Sequence, residues 1–151
     1  MSKVLAAPLS IDDFPSGTRL AQIPEGRKHY RPLKTNVDRF AASFGKPPRL
    51  IASDCERSNE TALSQVFQLI SGPLVQELLT RPGNRIDALL ASGKGPAEIT
   101  DEIFWTGLSR APSPRELERG TAHLQATSDR RQACEDLLWA LLNSKEFIFR
   151  R

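Results

Sequence analysis

The sequence predicts a mainly α-helical fold: a small multi-helix domain with an irregular, Pro/Gly-rich N-terminal region and at most one short strand or hairpin. The chain has 151 residues, of which 39% are hydrophobic and 26% charged, as in one ordinary folded domain. Prolines and glycines interrupt residues 1–33, and apolar residues recur at the helical period after them. We therefore expect an irregular segment over residues 1–33 and a helical domain over residues 34–151, as one domain overall.

The N-terminal half predicts one weak strand and two helices. The only strand candidate is the stretch from Thr18 to Ile23. Asn36 can cap a short helix that Gly45 ends. The second helix has Ser58 or Asn59 as its cap and ends at Gly72. Its apolar stripe at i, i+3, i+4 and i+7 consists of Leu63, Val66, Phe67 and Ile70.

Three further helices follow from proline and apolar spacing. Pro73 suits a first helical turn, and Pro82-Gly83 ends the segment that it opens. A short helix is expected from Arg85 to Ala91, with three residues facing inward: Ile86, Leu89 and Leu90. After Gly95-Pro96 the next helix carries an apolar stripe of Ile99, Ile103, Phe104 and Leu108.

The strongest helix start is Ser113-Pro114-Arg115-Glu116, which has proline at the first helical position and a Ser-x-x-Glu capping box. Asp129 is expected to cap the last helix. That helix has a stripe of Ala133, Leu137, Ala140 and Leu141, widened by Cys134, Leu138 and Leu142. An apolar face this broad is typical of a central helix.

Several functional classes lack their patterns in this sequence. The longest apolar run, Leu137 to Leu142, is about one third of a membrane span, so we expect no membrane contact. The N-terminus has no export-signal pattern. Cys55 and Cys134 lie far apart without zinc or haem spacing, and we expect no metal and no cofactor. Two free thiols are favoured over a Cys55–Cys134 disulfide, which stays open.

Positive charge is concentrated near the N-terminus. Residues 1–57 contain ten Lys and Arg against six Asp and Glu, whereas the rest of the chain contains eleven against twelve. Four of these cations are candidate anion-binding residues: Arg27, Lys28, Arg31 and Lys34. They would attract phosphate or sulfate groups, and a solvated charged face is the favoured alternative. A nucleic-acid partner is not favoured, because few aromatic residues are interleaved with the charges.

Cys55-Glu56-Arg57 precedes a predicted helix N-terminus, where the helix dipole would stabilise a thiolate. Nucleophilic chemistry also needs a positioned base, and neither His29 nor His123 is placed by spacing to supply one. The favoured interpretation is structural: Glu56 and Arg57 anchor the loop and Cys55 fills a gap. No catalytic residue is assigned.

Four segments together resemble a known family. They are Phe44 to Arg49, Cys55 to Glu60, Leu108 to Ser113, and Glu135 to Phe147, which contains the run Trp-Ala-Leu-Leu-Asn-Ser-Lys-Glu-Phe. In this order they resemble the C-terminal part of the planctomycete PSD-one domain, whose activity is not established. The resemblance implies a larger exported or periplasmic protein, often with a cytochrome-c-like domain upstream.

The family pattern adds candidate binding residues and a function. The candidates in the first two segments are Arg49, Cys55, Glu56, Arg57 and Asn59. We expect a non-catalytic helical module, the C-terminal part of a larger domain, that packs against upstream domains of the same protein or an anionic partner. The alternative is an accessory domain of a redox or hydrolytic enzyme that upstream residues complete. This sequence departs from the family pattern at Ser53-Asp54-Cys55, where two cysteines often occur, and at Thr61, where proline is common.

Overall fold

The structure, a computed structural model, describes residues 1, 3–7, 15, 18, 35–44 and 62–149, and these residues confirm a mainly helical fold. The helices are α1 (Asn36–Ser43), α2 (Ala62–Ser71), α3 (Pro73–Thr80), α4 (Arg85–Ala91), α5 (Pro96–Leu108), α6 (Pro114–Ala126), α7 (Arg130–Leu142) and α8 (Lys145–Ile148). Of the strand candidate only Thr18 is described, and its hydroxyl donates to the carbonyl of Pro15. The predicted boundary between residues 33 and 34 lies outside these residues and stays a prediction.

The chain divides into two compact units, one formed by residues 8–76 and the other by residues 1–7 and 77–151. In the first unit α1 packs against α2. We expected Asn36 to cap α1, but the cap is Thr35. The Thr35 hydroxyl accepts from the Asp38 N–H at 3.1 Å, and the Asp38 carboxylate accepts from the Thr35 N–H at 3.1 Å. Thr35 satisfies the capping pattern because an acidic residue, Asp38, stands three positions later, whereas the residue three positions after Asn36 is Arg39.

The apolar stripe predicted on α2 is present but not buried. Its described side chains Val66, Phe67 and Ile70 are all exposed, while the side chain of Leu63 lies outside the described residues. The predicted caps Ser58 and Asn59 are also outside them. Gly72 separates α2 from α3 as expected, because a Cβ there would collide with the carbonyl of Gln68.

In the second unit, α5 packs against α6, α7 and α8, and α7 also packs against α4, α6 and α8. The largest fully buried side chains of this unit are Leu5, Leu78, Ile86, Ile99, Thr100, Ile103, Cys134, Leu138 and Leu142. Their burial removes apolar surface from water, which is the main favourable term in folding. The N-terminal residues belong to this core, since the Leu5 carbonyl accepts from the Arg85 N–H at 2.8 Å.

The central position predicted for the leucine-rich helix is confirmed, but its buried face is rotated from the expected stripe. Cys134 and Leu138 are fully buried, whereas Leu137 is half-buried and Ala140 is exposed. The rotation follows because α7 packs against four helices, α4, α5, α6 and α8, and their contacts also cover the widened edge of the stripe. Among the helices that the structure describes, none is long and apolar enough to cross a bilayer.

Candidate functional site

None of the nine candidate site residues predicted from the sequence lies in the described ranges. They are Arg27, Lys28, Arg31, Lys34, Arg49, Cys55, Glu56, Arg57 and Asn59. The structure therefore gives no distances among them, and their roles in binding anions or other ligands stay predictions. Within the ranges that are described, no three His, Cys, Asp or Glu side chains are grouped so that they could hold a metal ion.

A different site emerges on the second unit: an open groove of about 540 Å³ beside α5 and α6. Its lining residues are Lys94, Ala97, Glu98, Asp101, Glu102, Trp105 and Leu117. The volume falls within the range of about 300–1,000 Å³ that is common for ligand sites. We call this surface the Trp105 groove.

The helical period explains why α5 presents this set. The groove residues of α5 stand at i, i+1, i+4, i+5 and i+8 from Ala97, which places them on one face. The opposite face is buried and consists of Ile99, Thr100, Ile103, Phe104, Gly107 and Leu108. Trp105 follows the buried Phe104 directly, and 53% of its surface is exposed. Trp105 therefore presents a large aromatic surface with a polar N–H tip to solvent.

The Trp105 groove carries excess negative charge. Three carboxylates, those of Glu98, Asp101 and Glu102, face a single ammonium group, that of Lys94. The Lys94 ammonium donates to the Glu102 carboxylate, and this hydrogen bond raises the pKa of Lys94. The Glu98 carboxylate accepts from the Gly95 N–H at 2.8 Å and caps α5. Two of the three carboxylates are therefore engaged within the protein.

Among the residues that the structure describes, no partner is found for two polar-tipped side chains of the groove, those of Asp101 and Trp105. Within the described part of the chain, the Asp101 carboxylate has no ion pair or side-chain hydrogen bond, and the Trp105 indole N–H has no acceptor. The two residues are four positions apart on α5, so their side chains are neighbours on the helix surface. The groove thus places an unengaged anion beside an exposed aromatic ring.

A second polar cluster serves the scaffold. The Arg110 guanidinium donates two hydrogen bonds of 2.9 Å to Glu116 and two of 2.7 Å to Glu146, and lies 5.6 Å from the ring centre of Phe104. It joins the end of α5 to the start of α6 and to α8. Arg110 and Glu146 belong to two of the four segments that carry the family resemblance. The Arg110 guanidinium donates its hydrogen bonds to protein groups, namely the two carboxylates and the Ala111 carbonyl, which indicates a structural role.

Because of this cluster, the free energy of unfolding depends on pH in the acidic range. The hydrogen bonds from Arg110 lower the pKa of Glu116 from 4.5 to about 2. The folded state therefore favours the carboxylate, and its contribution is present above pH 4.5 and lost as the pH falls toward 2. Because 35% of the Glu116 side chain is exposed, solvent screening reduces that contribution to about 1 kcal/mol. We expect Glu116→Gln to flatten the decline of the free energy of unfolding in this pH interval, as measured by urea denaturation.

The carboxyl ¹³C shift of Glu116, followed by NMR titration, provides the direct check. A titration midpoint near the ordinary value of 4.5 would contradict the assigned bond. Glu118→Gln removes an exposed carboxylate of the same helix and serves as the control, since Glu118 has no ion pair in the described structure.

The surroundings of two other residues, Cys134 and His123, indicate structural roles. Cys134 is a free, buried thiol, and burial raises its pKa, which disfavours the reactive thiolate. Cys55 lies outside the described residues. His123 Nε2 lies 3.6 Å from an oxygen of Asp136, between α6 and α7, in keeping with a residue at the core boundary.

One feature of the sequence could have indicated the groove, although the period of the apolar residues does not point to it. Trp105 falls outside the Ile99, Ile103, Phe104 and Leu108 stripe, so a large aromatic residue stands on the polar face of its own helix. The neighbouring residues Asp101 and Glu102 differ in their contacts, since the Glu102 carboxylate accepts from the Lys94 ammonium and the Asp101 carboxylate does not. What spacing missed is that both line one groove with Trp105.

No family model matches the chain, and no match was found among the curated proteins or the solved structures.

Proposed function

We propose that this chain is a non-catalytic helical module that binds a protein partner through the Trp105 groove. The observation that carries the proposal is the half-exposed indole of Trp105, set in a groove between two helices whose opposite faces form the core. Tryptophan is enriched among the residues that contribute most to protein–protein binding, because it contributes a large contact area at low entropic cost.

The scaffold around the groove supports a binding role. Arg110 ties the C-terminal end of α5 to α6 and α8, and Arg131 pairs with Asp87 and Glu135 to tie α7 to α4. These charged groups bond each other and hold the helices in place. A groove on such a scaffold is pre-organised, which lowers the entropic cost of binding.

The family resemblance supplies a context for this proposal. It favours a module at the C-terminal end of a larger exported protein of the PSD-one type, with the upstream domains of that protein as the partner. The excess of cations in Arg27, Lys28, Arg31 and Lys34 supports a second contact, with phosphate or sulfate groups of an anionic partner. The alternative, an accessory domain of a redox or hydrolytic enzyme, rests on Cys55, Glu56 and Arg57 alone.

A selection from a random peptide library displayed on phage tests the binding role without assuming a partner. The full chain is immobilised, bound phage are recovered, and each recovered peptide is measured against the parent and Trp105→Ala. We expect most recovered peptides to lose affinity by about ten-fold or more on the variant, as for an aromatic residue central to an interface.

Phe149→Ala is the matched control, because Phe149 is an exposed aromatic residue that does not line the groove. Its effect on the same peptides should be small. Peptides that bind the parent and Trp105→Ala equally well would show that the groove is not the binding surface, and failure to recover any peptide would count against the module.

A further inference from the structure

We propose that the occupant of the Trp105 groove is an arginine-bearing segment of a partner protein, whose guanidinium group stacks on the Trp105 indole and pairs with the Asp101 carboxylate. This inference rests on the proposed binding function and names the chemistry of the partner. Charge and geometry within the groove each support it.

Charge complementarity selects a cationic partner. The lining holds three carboxylates and one ammonium group, so the groove has excess negative charge although the whole chain has a formal net charge of +3. Lys94 is engaged with Glu102, and Glu98 with the N-terminus of α5. Asp101 is left as the carboxylate available to an incoming cation.

Geometry favours arginine over lysine. The side chains of Asp101 and Trp105 are neighbours because they stand four residues apart on α5, with about 5–6 Å between such Cβ atoms. A planar guanidinium can stack on an indole with its face and donate hydrogen bonds from its edge at the same time. A lysine ammonium is more strongly hydrated and has no flat face. It would therefore interact well with only one of the two groups, the Trp105 indole or the Asp101 carboxylate.

The remaining lining favours a peptide segment over a free cation. The groove is open and about 540 Å³ in volume, and its lining includes the apolar side chains of Ala97 and Leu117. A free guanidinium compound bound at Asp101 and Trp105 would leave these apolar side chains exposed to solvent. The residues that flank an arginine in a peptide can cover them, and burial of that apolar surface adds to the affinity.

The test compares two synthetic peptides that differ only in charge. One has the sequence Gly-Ala-Arg-Leu-Arg-Ala-Gly, and in the other both arginines are replaced by citrulline, which is neutral and has nearly the same shape. Binding to the full chain is measured by NMR titration of the indole N–H signals. We expect the arginine peptide to shift the Trp105 signal and leave that of Trp139 unchanged, and the citrulline peptide to bind about ten-fold more weakly.

Single substitutions measure the separate contributions of Trp105 and Asp101 to peptide binding. Trp105→Ala should weaken the arginine peptide about ten-fold and Asp101→Asn about three-fold, while Trp105→Phe keeps part of the affinity. Glu118→Gln is the charge-matched control and should leave affinity unchanged, because Glu118 does not line the groove. Raising sodium chloride from about 50 to about 500 mM should weaken the arginine peptide more than the citrulline peptide.

Three outcomes overturn the inference. They are equal binding of the two peptides, an arginine peptide whose affinity is unaffected by Asp101→Asn, and competition by free arginine that is as strong as that by the peptide. The inference can fail while the proposed function stands: selected peptides that depend on Trp105 but contain no arginine would support the binding module and exclude only its cationic partner.

Discussion

Replacing Asn84 by alanine is expected to lower the free energy of unfolding by about 3 kcal/mol, the sum of a lost helix cap and of buried groups left without partners. Asn84 is only 2% exposed. Its side-chain oxygen accepts from the N–H groups of Ile86 and Asp87, and its amide donates to the carbonyls of Leu78 and Leu79. One side chain therefore caps α4 and also satisfies carbonyls at the end of α3.

Two variants separate these contributions in urea denaturation followed by circular dichroism. Ser113→Ala removes an exposed cap of α6 and is expected to cost about 1 kcal/mol. Asn84→Asp keeps an acceptor for the α4 N–H groups but turns an anion toward two carbonyls, so it should destabilise the protein as well. An Asn84→Ala variant that costs no more than Ser113→Ala would show that the bonds to α3 contribute nothing.

Several helix boundaries could be predicted because local chemistry determines them. The bounds of α4 are as expected from the sequence, and both the Ser113–Glu116 capping box and the Asp129 cap are confirmed. Such signals lie within four residues of each other and need no tertiary information. The short helix α8 was not predicted, although Ser144 caps it by accepting from the Phe147 N–H at 3.2 Å.

Which face of a helix is buried could be predicted less well, because burial depends on what packs against it. The stripe of α2 has the right period, yet Val66, Phe67 and Ile70 are exposed. On α7 the buried face is centred on Leu138 rather than on Leu137. A period defines a face of one helix, and the neighbours that cover it come from distant parts of the chain.

The candidate site could not be predicted for the same reason, because it depends on how two helices pack. The positions of Trp105 and Asp101 on one face of α5 follow from the sequence, but the groove exists because α6 places Leu117 beside them. That placement depends on how closely α5 and α6 approach. Thr100 on α5 and Gly120 on α6 set this distance, and neither residue has chemistry that would mark it as functional.

Gly120→Ala is the second change for which we expect a large effect, a destabilisation of about 1–3 kcal/mol from overpacking. A Cβ at Gly120 would lie 2.5 Å from Thr100 Cγ2 and 3.1 Å from Thr100 Oγ1. Thr100 cannot easily move aside, because it is fully buried, is stiff at χ1 and donates to the Pro96 carbonyl at 2.8 Å. The clash therefore outweighs the gain of about 1 kcal/mol that alanine normally brings inside a helix.

A double-mutant cycle with Thr100→Ser identifies the cause by urea denaturation. Serine keeps the hydroxyl that bonds Pro96 and removes the Cγ2 atom that makes the closest contact, so Gly120→Ala should cost about 1–2 kcal/mol less in that background. Gly107→Ala is the matched control: its Cβ would meet only Leu141 Cδ1, at 3.7 Å, and the substitution should be neutral or stabilising. If the two glycine variants changed stability equally, the α5–α6 contact at Gly120 would not be the cause, and the groove beside Trp105 would not depend on the small residue at position 120.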